Sequence, residues 1–471
     1  QVSGRKAQNV LTCIMISYRF VFLVFVSLIC FNEGFSQGAD VVAANDSMIS
    51  LDHSGLAELT DINPEDLGLD ILALKLGIES IVREAIDSAA FPGCQILLAK
   101  DARIFYEESF GYHTYDSLRP VKNTDIYDLA SVTKTTAATL SLMKLYDDGL
   151  FDPDQTFGYY FPEIARGKKK DMVMRDVLAH QAGLRAWIPY YAVSQRKNGE
   201  YKRNTVSQDS SAAFSYRISE SGLFLHKDYR TEKIYKMIRK SKVSKDKSYL
   251  YSGLSFYLYP DLVQQLTDKP FDQYLSDEFY KPLGAKTVGF KAGERFPLEN
   301  IVPTEVDSFF RMQTLHGVVH DEGAAMMLGI SGNAGLFANA RDLAKIYQML
   351  LNGGDYAGKR YLKTSTVEEF TKCQFCKTGN RRGMGFDKPL IDYDPNKSSV
   401  AEEASSKSFG HSGYTGTLVW ADPTNNLLFI FLSNRVHPTR NNGKIYSLNV
   451  RPRIHSLVYR LLAEGESGIR E

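Results

Sequence analysis

The arrangement of apolar and polar residues predicts strands near both ends of the chain and helices between them. One strand pair lies in CQILLAKDARIFYEESFGY, with its turn at residues 100–103, and another lies in GTLVWADPTNNLLFIFLSNR, with its turn at residues 422–426. Apolar residues at helical spacing predict helices over residues 76–90, 129–149, 173–180, 229–241, 256–267, 339–353 and 445–463. We therefore predict a mixed α/β (α+β) fold, in which a central antiparallel sheet from both chain ends is flanked by helices and carries a large, mostly helical insertion.

The beginning of the chain has the pattern of an export signal. Residues 20–31 form an apolar run of 12 residues, which is shorter than the about 20 residues that span a membrane and falls within the about 7–15 residues of a signal-peptide core. Arg19 precedes this run, and Ser36 is a small residue at the predicted cleavage point. We predict a signal peptide over residues 1–36, with residues 1–14 as an upstream extension, and hence a secreted or periplasmic protein. An uncleaved membrane anchor is the alternative.

The remainder of the chain divides into a linker and one large domain. Residues 37–75 are small, polar and acidic with weak periodicity, as in a linker or N-terminal extension. Residues 76–471 are predicted to form the functional domain. Within it we expect a sheet subdomain, at about 76–128 and 340–471, and a helical subdomain at about 129–339.

Composition and charge narrow the classes of partner. Of the 471 residues, 44% are hydrophobic and 24% are charged, which suits a packed core and excludes a disordered polymer. The 56 Lys and Arg residues nearly balance the 55 Asp and Glu residues. Because a formal net charge of +1 is too small to attract a polyanion, we predict no nucleic-acid partner. Membrane contact is expected only through an uncleaved signal segment.

Two motifs have features of metal sites, but we predict neither a metal nor an organic cofactor. Cys373 and Cys376 form a lone C-x-x-C, which suits a redox pair, half of a zinc site or a local disulfide. His316 and His320 have the spacing of metal ligands on a helix, but Gly317 disfavours a helix between them, and the glutamate of the usual zinc motif is missing.

The candidate chemistry begins with a serine that is followed one helical turn later by a lysine. Of five S-x-x-K motifs, only the one from Ser131 to Lys134 stands at a helix start that follows an extended segment. Residues three apart share a helix face, so the lysine can reach the serine hydroxyl. A serine hydroxyl needs a base before it acts as a nucleophile, and a lysine serves when its surroundings favour the neutral amine.

Two further segments complete the pattern. Tyr251-Ser252-Gly253 precedes an apolar helix, and His411-Ser412-Gly413 precedes a strand-forming run. A small Ser-Gly pair on an edge strand allows a substrate backbone to approach closely, so Ser412 and Gly413 are predicted to bind substrate.

Taken in order, these segments resemble those of the serine β-lactamase and penicillin-binding-protein superfamily, and more narrowly those of the class C β-lactamase-related serine hydrolases. The resemblance runs from about residue 76 to about residue 462 and includes FPG at Phe91, DVLAHQAGL at Asp176 and VHDEGAAMMLGISGNAGLF at Val319. It implies a β-lactamase/transpeptidase-like fold and a serine hydrolase that works through an acyl-enzyme without a cofactor.

The resemblance also implies a role for each matched residue. Ser131 would be the nucleophile that becomes acylated, and Lys134 would help to deprotonate it. Tyr251 would shuttle protons to the leaving group. His411 would be the first residue of the K/H-T/S-G strand motif of the family. The oxyanion hole would be formed by the backbone N–H groups of Ser131 and Tyr414, which stabilise the charge that develops during acyl transfer.

Two positions depart from the family pattern. Gly253 stands where the family usually has Asn or Asp, and His411 stands where class C β-lactamases have Lys. A histidine is mostly uncharged at neutral pH, so it attracts a substrate carboxylate less strongly. We therefore expect D-amino-acid peptides, peptidoglycan fragments, or small esters and amides as substrates. The alternatives are a penicillin-binding or sensor protein that acylates with little turnover, and a weak class C-like β-lactamase.

Overall fold

A computed structural model describes residues 58–468 of the chain. The predicted signal peptide and residues 37–57 of the predicted linker lie outside the described residues. Within the described range, no helix is both long enough and apolar enough to cross a membrane.

A six-stranded sheet forms the centre of the fold. Its strands are β1 (Thr60–Asp61), β2 (Gly93–Lys100), β3 (Arg103–Gly111), β4 (Phe409–Ser412), β5 (Leu418–Asp422) and β6 (Leu427–Ser433). They lie in the order β1-β3-β2-β6-β5-β4, and each neighbouring pair is antiparallel except β1 with β3. The two chain ends therefore meet at the β2–β6 pair, which confirms the predicted sheet.

Helices cover the sheet and fill the insertion. The longer helices are α1 (Ile71–Asp87), α2 (Leu140–Asp147), α3 (Tyr259–Thr267), α4 (Ala340–Leu351), α5 (Thr364–Thr371) and α6 (Val450–Gly468). Short helical segments lie at Pro64–Leu67, Ala130–Val132, Lys134–Thr139, Phe157–Tyr160, Gly167–Lys169, Met174–Leu178, Tyr190–Ser194, Arg230–Tyr235, Lys236–Lys240, Ser255–Tyr257, Phe271–Leu275, Ser276–Tyr280, Ala292–Arg295, Leu298–Asn300, Glu322–Ala325, Cys376–Thr378 and Lys444–Ser447. Most of them fall in the region that the sequence predicted to be a helical insertion.

Short strands of two or three residues form small additional sheets. They lie at Tyr127–Asp128, Val206–Ser207, Tyr216–Arg217, Phe224–Leu225, Gly289–Phe290, Val306–Asp307, Gln313–Thr314, Leu336–Ala338, Asp355–Tyr356 and Lys359–Arg360. Leu336–Ala338 pairs with both Tyr127–Asp128 and Gly289–Phe290. This small sheet anchors the chain just before Ser131.

The central strands are apolar on both faces because both faces are covered. Leu97 of β2 and Ile430 of β6 lie in the same core cluster as the buried residues of α4. Their neighbours Ile96 and Phe429 lie in a second cluster with α1 and α6. A continuous apolar run is the expected sequence of a strand that is buried in this way.

Within the described residues, secondary structure begins before residue 76, the predicted start of the functional domain. Helix α1 starts at Ile71 because the Asp70 carboxylate accepts a 2.9 Å hydrogen bond from Ala73 N and caps the helix. Strand β1 adds to the sheet by pairing in parallel with the start of β3. A strand of two residues has no visible alternation of polar and apolar positions, so the sequence indicated a linker there.

The cysteines of the C-x-x-C motif and the two histidines are engaged in contacts within the fold. Cys373 and Cys376 form a disulfide, one of the three interpretations that the sequence allowed. His316 and His320 contact different groups, a backbone carbonyl at 2.7 Å and the Glu305 carboxylate at 3.0 Å. In residues 58–468, no three His, Cys, Asp or Glu side chains are grouped so that they could hold a metal ion.

Candidate active site

The turn that carries Ser131 is held from two sides. Asp128 Oδ1 accepts a 2.8 Å hydrogen bond from Ala130 N, and Ala130 has a φ of 46°, a left-handed conformation that residues other than glycine rarely adopt. On the opposite side, the hydroxyls of Thr415 and Thr417 donate hydrogen bonds of 2.8 and 3.0 Å to backbone carbonyls of the same turn. These contacts hold the partly exposed Ser131 at the start of the helical segment.

Lys134 places its amine beside the Ser131 hydroxyl. Its Nζ lies 3.0 Å from Ser131 Oγ and donates a second hydrogen bond of 3.0 Å to the carbonyl of Asn333. The lysine is only 2% exposed, and its amine lies 5.2 and 5.5 Å from the ring centroids of Tyr251 and Phe256. A buried amine within hydrogen-bond reach of a serine hydroxyl has the geometry that a general base requires.

Tyr251 is positioned by the segment around His180. The two rings lie 4.7 Å apart between centroids, His180 Nδ1 accepts a 3.2 Å hydrogen bond from Ser252 N, and Ser252 Oγ donates to the Arg185 carbonyl at 2.6 Å. Burial and the charge of Arg382 hold the pKa of His180 well below its usual value, so its neutral ring can accept this bond. The Tyr251 hydroxyl is buried and has no hydrogen-bond partner within residues 58–468.

His411, on β4, is a neutral imidazole. Burial, followed by the positive charges of Arg382 and Lys134, lowers the pKa of His411 to about 3. Its Nδ1 lies 2.7 Å from the carbonyl of Ser412, and because a carbonyl only accepts hydrogen bonds, Nδ1 carries the proton. The opposite nitrogen, Nε2, has no partner in the described part of the chain and therefore presents a lone pair.

These side chains meet at one open cavity of about 250 Å³. Its walls are formed by Ser131, Tyr251, Arg382, His411, Ser412, Gly413, Tyr414 and Tyr446. Lys134 contacts Ser131 from the buried side. The structure thus brings together the residues that the sequence singled out for catalysis, oxyanion binding and substrate binding. Their chemical roles stay predictions.

Strand β4 approaches the Ser131 turn closely because residue 413 is a glycine. A Cβ on Gly413 would lie 2.0 Å from Thr417 Oγ1 and 2.5 Å from the carbonyl of Leu129. Gly413 N donates a 2.8 Å hydrogen bond to the Thr417 carbonyl, which closes the turn between β4 and β5. Tyr414 lies in this turn and lines the same cavity as Ser131. The backbone N–H groups of these two residues therefore remain the predicted oxyanion hole.

Sequence reasoning missed three contributors to this site: Asn333, Arg382 and Tyr446. Asn333 lies in the segment at residues 319–337 that resembles the family, so the sequence could have predicted its contact with Lys134. Arg382 and Tyr446 lie outside any motif, and only the folded chain brings them to the cavity. A Cβ on Gly253 would meet nothing within 4 Å, so the departure at this position leaves open space.

The family of the chain follows from its sequence as a whole. The Beta-lactamase family profile matches residues 78–449. The chain belongs to the beta-lactamase family. A curated relative from Escherichia coli (strain K12), named "Putative D-alanyl-D-alanine carboxypeptidase", is 29% identical over 405 residues, which cover 80% of this chain and 86% of the relative.

Solved structures share the fold of this beta-lactamase family member. A penicillin-binding protein homologue from Caulobacter crescentus matches with a TM-score of 0.58 at 17% identity, covering 82% of this chain and 97% of that one. EstCE1, described as a hydrolase with promiscuous acyltransferase activity, matches with a TM-score of 0.56 at 17% identity, covering 82% and 99%. The predicted fold class is confirmed, and family membership confirms that the chain is an enzyme, a serine hydrolase of the beta-lactamase fold.

Proposed function

We propose that this serine hydrolase forms an acyl-enzyme on Ser131 and acts on D-amino-acid peptides, peptidoglycan fragments, or small esters and amides. The proposal is carried by one observation, the 3.0 Å contact of Lys134 Nζ with Ser131 Oγ at the wall of an open cavity. The name of the Escherichia coli relative favours a D-amino-acid peptide. A secreted or periplasmic location, proposed from residues 1–36, would bring the enzyme into contact with cell-wall fragments.

The proposed reaction has two half-reactions. In the first, Ser131 Oγ attacks the acyl carbon while its proton passes to the Lys134 amine, and the bond to the leaving group breaks as Tyr251 protonates that group and takes the proton back from Lys134. In the second, water attacks the acyl carbon, the acyl–serine bond breaks, and Ser131 recovers its proton. The backbone N–H groups of Ser131 and Tyr414 would bind the oxyanion in both steps, where one such donor is typically worth about 10²–10³ in kcat.

The first test compares Ser131→Ala with Ser141→Ala. Ser141 is the first residue of another S-x-x-K motif, but it is buried in α2, where its hydroxyl donates to the Ala138 carbonyl at 2.8 Å. After exposure to a fluorescent penicillin, D-alanyl peptides and phenyl esters, intact-mass measurement should find one acyl group on the wild type and on Ser141→Ala. Ser131→Ala should show neither an adduct nor turnover.

The other outcomes separate the alternatives. A lasting adduct on Ser131 without turnover of any peptide or ester would replace the hydrolase with a penicillin-binding or sensor protein. Rapid turnover of penicillins with slow turnover of peptides and esters would favour a β-lactamase. Turnover that survives Ser131→Ala, or an enzyme that is never acylated, would refute the proposed nucleophile.

A further inference from the structure

Asp128 joins three segments beside the predicted nucleophile, and the proposed chemistry gives it no part. Its carboxylate accepts a 2.8 Å hydrogen bond from Ala130 N through Oδ1 and a 2.7 Å hydrogen bond from His320 N through Oδ2. Its backbone carbonyl accepts a 2.8 Å hydrogen bond from the Thr415 hydroxyl. One residue therefore contacts the turn before the nucleophile, the segment that carries His320 and the turn between β4 and β5.

Both side-chain contacts of Asp128 require a carboxylate. The residue is 1% exposed and forms no ion pair with a Lys or Arg of residues 58–468. Burying a carboxylate without such a cation is costly, and burial raises the pKa of Asp128. An asparagine has one acceptor oxygen and would place its NH2 group against the second N–H. What the carboxylate supplies in return for its burial is a pair of acceptors in one fixed geometry.

The contact with Ala130 holds a strained turn. Ala130 has a φ of 46°, and a residue other than glycine keeps this left-handed conformation only where its surroundings enforce it. The peptide plane between Ala130 and Ser131 follows directly, and it carries the Ser131 N–H. The direction of this N–H group therefore depends on the contact between Asp128 and Ala130 N.

The same carboxylate supports the second predicted oxyanion donor. The ring of His320 stacks on the ring of Tyr414, with centroids 5.9 Å apart and planes inclined by 26°. Thr415, the residue after Tyr414, donates its hydroxyl hydrogen bond to the Asp128 carbonyl. Loss of the carboxylate would release the backbone of His320, and with it the ring that packs on Tyr414.

We propose that Asp128 is a positioning residue that sets the backbone N–H groups of Ser131 and Tyr414 at once, an inference that rests on the proposed function of the same site. Its carboxylate does not touch the substrate and acts through Ala130 N and His320 N. It keeps the two donors at the spacing that one oxyanion requires, because such donors are effective only when they are fixed before the reaction.

A pair of esters that differ in one atom tests this role. The probes are phenyl acetate and its thiono analogue, in which sulfur, a weak hydrogen-bond acceptor, replaces the carbonyl oxygen. For the wild type, we expect kcat/KM to be about 10²–10³-fold higher for the oxygen ester, the usual contribution of an oxyanion donor.

In Asp128→Asn, kcat/KM for the oxygen ester should fall by about 10²-fold, the cost of a misplacement of about 1 Å. The value for the thiono ester should change little, so the ratio of the two falls towards 1. Because both rates are measured on the same sample, the ratio does not depend on how much of the variant is folded. A merely structural role of Asp128 would therefore leave it unchanged.

Asp125→Asn is the matched control. Asp125 is also 1% exposed, and its carboxylate also has two partners, His113 Nε2 at 2.7 Å and Lys122 N at 2.8 Å, neither of them in the turn before the nucleophile. This variant should lose stability and keep the wild-type ratio. Asp128→Ser keeps one acceptor for the N–H two residues along the chain and should give an intermediate ratio. It also keeps the test informative if Asp128→Asn does not fold.

Three results would contradict the proposal. These are a wild-type ratio near 1, an unchanged ratio in folded Asp128→Asn, and an equal fall of the ratio in Asp125→Asn. The proposed function fails in a different way: a wild-type enzyme that hydrolyses neither ester and no D-alanyl peptide, and that forms no Ser131 adduct, would overturn the acyl-enzyme and the role of Asp128 together.

Discussion

Four polar atoms of residues that line the Ser131 cavity have no hydrogen-bond partner within residues 58–468: the Tyr251 hydroxyl, His411 Nε2, and Nε and Nη1 of Arg382. The rings of Tyr251 and His411 lie 5.9 Å apart between centroids, so these atoms border one space. Buried polar atoms are normally hydrogen-bonded, and the exceptions call for an explanation. Here a bound substrate would supply the missing partners, and the cost of leaving the atoms unpaired would be recovered on binding.

Replacement of Tyr251 by Phe tests this view at a single atom. We expect the acylation rate to fall by about 10²–10⁴-fold, the usual contribution of a general acid or base. The free energy of unfolding should not fall, because the deleted hydroxyl makes no hydrogen bond in the folded enzyme. Acylation is followed by intact-mass measurement at short times, and stability is followed by urea unfolding.

Tyr274→Phe is the control for this replacement. The Tyr274 hydroxyl is likewise buried without a partner in the described chain, but it does not line the cavity. Its removal should leave acylation at the wild-type rate. If Tyr251→Phe were also acylated at that rate, another group would have to deliver the proton to the leaving group.

At the level of elements, the site depends on how closely β4 approaches the segment Ala130–Val132. Gly413→Ala would place a methyl group 2.0 Å from Thr417 Oγ1 and 2.5 Å from a backbone carbonyl, so the strand must move away from Ser131. We expect the free energy of unfolding to fall by about 1–3 kcal/mol, as in other overpacked sites, together with slower acylation. Urea unfolding and the acylation assay measure the two effects.

Gly253→Ala is the matched substitution. Its new methyl group would meet nothing within 4 Å, so its stability should stay within about 0.5 kcal/mol of the wild type. Equal destabilisation by the two alanines would mean that the cost comes from backbone flexibility rather than from the contact between β4 and the Ser131 turn.

The elements differ in how far their sequence could predict them. The hairpin turns at residues 100–103 and 422–426 are confirmed, because strand-forming runs flank short polar turns. The predicted helix at residues 129–149 is instead a 3₁₀ turn, a π-helical segment and then α2. Apolar periodicity reports that a helical face is buried, but over so few residues it does not distinguish these hydrogen-bond patterns.

The same contrast holds for the site. Ser131 and Lys134 could be paired from their spacing alone, because three residues along a helix is a local distance. Arg382 is far from the motifs in sequence, and its position depends on the packing of a loop. Its carbonyl accepts a 2.9 Å hydrogen bond from Gln374 N, next to the Cys373–Cys376 disulfide. No local sequence pattern reveals such loop packing.

Across the described chain, burial keeps several histidines neutral. His455 on α6 lies between the rings of Phe429 and Tyr459, with centroid distances of 4.9 and 4.8 Å. Its Nδ1 accepts a 3.4 Å hydrogen bond from Ala401 N. Burial lowers the pKa of His455 to about 3, as it does for His411 at the cavity. If the protein stayed folded in acid, each of these rings would be buried in its protonated, charged form, which burial disfavours.

Stability should therefore fall as the pH falls. The ordinary pKa of histidine is 6.5, and that of His455 is about 3 in the folded protein, so between these values the unfolded chain binds a proton that the folded chain does not. The free energy of unfolding is unaffected by this histidine above pH 6.5. Below pH 6.5 it decreases by about 1.4 kcal/mol for each pH unit, until the pKa of the folded state is reached. His455 alone should cost about 2 kcal/mol between pH 7.5 and pH 5.0.

His455→Asn and Val458→Ala together separate titration from packing. Both positions lie on α6 and are almost fully buried, so each variant should be less stable than the wild type at pH 7.5. Only the asparagine variant removes a titrating group, and its loss between pH 7.5 and pH 5.0 should be about 2 kcal/mol smaller than that of the wild type. Urea unfolding at the two pH values measures this difference, whereas Val458→Ala should follow the wild-type dependence because its packing cost does not change with pH. Parallel losses in all three proteins would mean that His455 takes up its proton without unfolding, and that the acid sensitivity of the fold arises elsewhere.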